Sequence, residues 1–158
     1  MKITRAQAIH IAEILENMTL GYMSSDTLDK LITNINTCSK VVEDFKGMTE
    51  ELYKRLYLNF DNEKVKEFFV LIKNNELDKA SKYEDIYPVF VKHNEVLKNL
   101  LSKELEVDIV VIDEDDFIKG AVLGKKDISI AEIKTVFNPM FSKKEKSTQD
   151  FSELDELL

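Results

Sequence analysis

The stretch that decides the fold is residues 26–58, DTLDKLITNINTCSKVVEDFKGMTEELYKRLYL. Within it, apolar side chains recur at alternating steps of three and four residues, the spacing of coiled coils and helical hairpins. The stripe consists of Leu28, Leu31, Ile35, Cys38, Val42, Phe45, Thr49, Leu52 and Leu56, and only Thr49 breaks its apolar character. The spacing predicts one helix, about 45 Å long at ~1.5 Å per residue. A stripe of that length needs another element to cover it.

A second striped segment, residues 85–104, is the natural cover for the first. Its stripe repeats the alternating spacing and consists of Ile86, Phe90, His93, Leu97 and Leu100. Pro88 lies in the first turns, where its missing N–H does least harm to a helix. The two stripes therefore predict a long antiparallel helical hairpin, with residues 59–84 at its far end. The aromatic residues near that end are predicted to be mostly core: Tyr53, Tyr57, Phe60, Phe68 and Phe69.

A small sheet is predicted beside the hairpin. Met1–Ile3 is a candidate strand, and residues 106–112 form a short β-branched run that is typical of a strand. Residues 117–118 and 121–123 are candidates for further strand pieces, so the sheet would have two or three strands. In this interpretation residues 113–116 form a polar turn.

Capping boxes mark the starts of two shorter helices. Thr4 and Gln7 begin a first helix after the N-terminal strand, and Ser129 and Glu132 begin a short capping helix near the end. The predicted fold class is therefore mainly α (α+β): a long antiparallel helical hairpin with a small two- or three-stranded sheet and a short capping helix.

Composition indicates a soluble globular protein with one domain at residues 1–141 and an acidic amphipathic tail at residues 142–158. The chain has 158 residues, of which 44% are hydrophobic and 33% charged. Its net charge of −8 would repel a phosphate backbone, so no binding to duplex nucleic acid is expected. No signal peptide and no membrane-spanning run is predicted. The expected location is the cytoplasm, that of the host cell if a phage encodes the protein.

The order of these segments resembles a known family. The segments that carry the likeness are the start Met1–Thr4, the run Glu104–Ile109 directly after the second long helix, and the closing Ile128–Ile133 and Asn138–Met140. The layout is similar to the small tailed-phage proteins known as domain of unknown function 1617. The resemblance spans roughly residues 1–141, but residues 59–84 and the tail depart from it. It implies a phage-encoded helical protein and assigns no catalytic residue.

No catalytic site, metal site or cofactor is predicted from the residues. The single cysteine, Cys38, excludes an intramolecular disulfide and a cysteine-based zinc site. Cys38 with His93 or His10 is formally a nucleophile and base, but Cys38 lies on the apolar stripe, where packing is the expected role. Asp113–Asp116 lacks the glycine and the later glutamate of a calcium loop.

Two candidate binding features remain. The tail can dock on a partner as a short amphipathic helix, with the apolar anchors Phe151, Leu154, Leu157 and Leu158, although docking on its own domain or a frayed terminus is an equal alternative. The second feature is a candidate anion-binding set of Lys125, Lys126, Arg55 and Tyr57.

The function expected from the sequence is non-catalytic protein–protein interaction in a phage or other mobile element. The helical hairpin and the tail would bind a host or phage protein, and the protein would form a homodimer or higher homo-oligomer. The alternative is a sequestering protein that holds a small anionic or nucleotide signal between protomers to counter host defence. That alternative requires the four candidate anion-binding residues to converge.

Overall fold

A computed structural model describes residues 1–141; the predicted tail, with Phe151, Leu154, Leu157 and Leu158, lies outside the described residues. In chain order the elements are β1 (Lys2–Thr4), α1 (Arg5–Glu16), α2 (Ser25–Tyr57), α3 (Asn62–Lys73), α4 (Leu77–Ala80), α5 (Ile86–Ser102), β2 (Glu104–Glu106), α6 (Glu114–Gly124), α7 (Ile130–Val136) and a 3₁₀ helix (Asn138–Phe141). The strands form a two-stranded antiparallel sheet. The mainly α (α+β) fold class is confirmed.

The described residues fall into two compact units, each with its own apolar core. Unit 1 consists of Met1–Val42 together with residues 104–141, and unit 2 is Glu43–Lys103. Helix α2 brings the chain into unit 2 and α5 takes it out again, as the predicted hairpin requires. That residues 1–141 form one domain stays a prediction.

Local signals predicted most helices correctly. The Thr4 hydroxyl accepts a hydrogen bond from the Gln7 N–H, and the Gln7 side chain accepts one from the Thr4 N–H, so the capping box at the start of α1 is complete. Helix α1 ends at Glu16. Ser129 caps α7 by accepting a hydrogen bond from the Glu132 N–H.

The sheet in unit 1 is smaller than the β-branched run predicted. β1 pairs with β2 in the register Lys2↔Glu106, Ile3↔Leu105 and Thr4↔Glu104. The prediction of a strand over residues 106–112 is wrong beyond Glu106, because the chain there finds no second strand to pair with. Val107 and Ile112 are instead buried among the helices of unit 1.

Asn34 on α2 makes the hydrogen bonds to Val110 that a neighbouring strand would otherwise make. Its side-chain amide donates to the Val110 carbonyl over 2.9 Å, and its amide oxygen accepts from the Val110 N–H over 2.8 Å. The side chain is fully buried and also lies 3.2 Å from the Met140 sulfur. Both backbone groups of Val110 are therefore satisfied by one side chain, which ties residues 107–112 to α2.

Replacing Asn34 tests this link. We expect Asn34→Ala to lower the free energy of unfolding by about 2–4 kcal/mol, because two partly buried backbone groups of Val110 lose their partners and a small cavity forms at a fully buried site. The exposed Asn36 on the same helix supplies the control, since Asn36→Ala should change stability by less than about 0.5 kcal/mol. Urea unfolding followed by circular dichroism measures both; equal losses would mean that the Asn34 amide is not the link.

The segment predicted as a polar turn and strand pieces is helix α6. Asp113 caps it by accepting a hydrogen bond from the Asp116 N–H, and three acidic residues in its first turn suit the positive end of the helix dipole. Phe117, Gly120 and Ala121 are buried at helical spacing. The prediction of strands at residues 117–118 and 121–123 is therefore wrong, because this segment is a helix whose apolar face packs into the core of unit 1.

Gly120 and Gly124 let α6 approach the loop between α1 and α2. A Cβ at Gly124 would overlap the carbonyl oxygen of Thr19, and a Cβ at Gly120 would overlap the Met23 side chain. The Thr19 N–H donates to the Gly124 carbonyl over 3.2 Å, which is possible only at this close approach. Gly47 on α2 differs, because nothing lies within 4 Å of the position its Cβ would take.

Two alanine substitutions should therefore act in opposite directions. We expect Gly124→Ala to destabilise the protein by about 1–3 kcal/mol, because the methyl group meets backbone that cannot move aside easily. Gly47→Ala should stabilise it by about 0.5–1 kcal/mol through helix propensity alone. Urea unfolding of both variants beside the wild type measures the sign of each change, and a neutral Gly124→Ala would refute the close approach.

Candidate functional site

Unit 2 is built around a cluster of aromatic rings from α2, α3 and α5. Phe68 is fully buried and lies edge-on to Phe90, with 5.3 Å between ring centroids. Tyr57 contacts Phe69 at 5.4 Å and His93 at 5.6 Å. The prediction that these aromatic residues are mostly core is confirmed.

A buried hydrogen bond joins α2 to α5 inside this cluster. The Tyr57 hydroxyl oxygen lies 3.1 Å from Nδ1 of His93, and both side chains are buried. Burial lowers the pKa of His93 and raises the pKa of Tyr57 to about 12. Burial favours the neutral imidazole, and the tautomer of that ring determines whether Nδ1 accepts from or donates to the Tyr57 hydroxyl. The contact fixes α5 against the end of α2.

This pair makes the stability of unit 2 depend on pH in the acidic range. His93 has a lower pKa when folded than when unfolded, so the unfolded chain binds a proton first as the pH falls. We expect the free energy of unfolding to decrease as the pH drops below the ordinary histidine pKa of about 6.5. Near-ultraviolet circular dichroism of the tyrosines during urea unfolding, at neutral and mildly acidic pH, measures the change.

Histidine substitutions provide the control for that prediction. His93→Gln should remove the pH dependence in this range, whereas His10→Gln should keep it, because His10 is exposed on α1 in unit 1. If the His93→Gln protein loses as much stability on acidification as the wild type, another group is responsible.

The most distinctive surface of unit 2 is a two-helix segment that we call the stem, residues 43–56 of α2 and 94–102 of α5. No side chain in either segment is buried, although the flanking Tyr57 and His93 are. The stem nevertheless carries half-buried apolar side chains: Phe45, Leu52, Leu56, Val96, Leu97, Leu100 and Leu101. Met48 and Tyr53 are 41% and 42% exposed. The stem is thus apolar along about four helical turns without burying any residue completely.

The stem carries charged side chains of both signs beside its apolar strip. Residues 43–56 of α2 hold four acidic and three basic side chains, a net charge of −1. Residues 94–102 of α5 hold one lysine and one glutamate, a net charge of zero. Mixed charge therefore borders the apolar strip on both helices.

Open grooves flank Tyr83 at the other end of unit 2. One of about 510 Å³ is lined by Lys64, Lys82, Tyr83, Glu84 and Asp85, and one of about 380 Å³ by Glu63, Lys66, Glu67, Val70, Leu71 and Tyr83. Lys64 is paired with Asp85 at 2.9 Å, and this contact raises the pKa of Lys64 and lowers that of Asp85. One of the two lysines of the 510 Å³ groove is therefore already neutralised.

The four candidate anion-binding residues are divided between the units. Lys125 and Lys126 belong to unit 1, and Arg55 and Tyr57 belong to unit 2. Arg55 forms an ion pair with Glu51 at 2.6 Å, and Lys125 lies 4.0 Å from Asp127. The Tyr57 hydroxyl is engaged by His93. Binding of an anion by this set stays a prediction.

Cys38 and His93 each have a structural role where they lie. Cys38 is buried in the core of unit 1, and burial raises the pKa of its thiol to about 11, which disfavours the reactive thiolate. His93 belongs to the aromatic cluster of unit 2. Among residues 1–141, no group of three or more histidine, cysteine or acidic side chains could hold a metal ion.

Asp116 takes part in a capping contact that the sequence did not predict. Its carboxylate accepts from both the Ser24 hydroxyl (2.8 Å) and the Ser24 N–H (3.1 Å) just before α2 begins. Hydrogen bonds from Thr27 and Ser24 lower the pKa of Asp116. The acidic run of residues 113–116 thus begins α6 and also holds the start of α2.

Sequence reasoning also missed how wide the apolar surface of α5 is. Val96 and Leu101 extend the predicted stripe of Leu97 and Leu100 on both sides. The signal was present, because four apolar residues within six positions exceed what a single facing helix covers.

None of the helices in the described part of the chain is long and apolar enough to cross a membrane.

Comparison with known proteins gives no further assignment. No protein-family model, curated protein or solved structure matches the chain.

Proposed function

We propose that this protein is a non-catalytic protein–protein interaction protein and that it binds a partner through the stem. The observation that carries the proposal is that α2 holds apolar residues along about four turns and α5 along about two and a half turns, while none of them is fully buried. Covering apolar surface contributes roughly 25 cal/mol per Å², so a partner helix laid on the stem gains stability from the contact.

The chemistry of the stem suits a helical partner. Its apolar side chains recur at the spacing of a helix-packing seam, and charged side chains border them on both sides. The predicted tail, with anchors Phe151, Leu154, Leu157 and Leu158, is a second proposed contact. The resemblance to tailed-phage proteins supports a phage setting, in which the partner is a phage or host protein.

Photo-crosslinking from the stem tests this function. We expect a photoreactive amino acid at Met48 to form a covalent adduct with a protein when the full chain is expressed in bacteria and illuminated. Met48 is exposed, so the substitution leaves the core intact. Mass spectrometry identifies the adduct.

Two exposed apolar positions outside the stem serve as controls. The same photoreactive residue at Val91 or Leu123, which are 49% and 55% exposed, should give little adduct. Absence of an adduct at Met48, or equal yields at all three positions, would contradict the proposal.

A further inference from the structure

We draw no further inference here: the strongest candidate, the half-buried apolar strip along the stem on α2 and α5, carries nothing beyond the proposed function, because nothing in the structure shows what covers it.

Discussion

The constraint on which the structure depends is the length of α2. Its thirty-three residues carry a single apolar stripe. Different parts of the chain cover that stripe at different positions along the helix. Leu31 and Cys38 are buried in the core of unit 1, and Tyr57 is buried in the core of unit 2. The residues between them, 43–56, are never fully buried, although Tyr53 contacts Phe69 of α3 and Leu56 packs against the core of unit 2.

Polar groups hold the other elements to this helix with specific geometry. Asn34 satisfies both backbone groups of Val110, Asp116 receives two hydrogen bonds from Ser24, and Tyr57 bonds to His93. No side-chain nitrogen or oxygen that is buried within residues 1–141 lacks a hydrogen-bond partner. An unpaired buried polar group is costly, so these contacts determine which residues of the other elements pack against α2. They also add stability.

The proposed interaction surface follows from the same constraint. Helix α2 runs from unit 1 into unit 2, and the stem part of its stripe is only partly buried. The stem part of α5 is partly buried in the same way. Apolar side chains that stay half-buried along several turns are favourable sites for association.

Amino-acid sequence alone determined the helices whose signals are local: the alternating stripes of α2 and α5 and the capping box at Thr4. Periodicity and capping involve residues only three or four positions apart. Tertiary structure alone decided residues 106–124. The backbone groups of Val110 bond to Asn34, 76 positions earlier, and Gly124 contacts Thr19 in the loop between α1 and α2. Local propensity and turn patterns predicted strands here. These distant contacts instead stabilise an unpaired segment and a helix. Tertiary structure also divided the candidate anion-binding residues between two units and left the stem incompletely buried. Both outcomes depend on which elements pack together rather than on any local pattern.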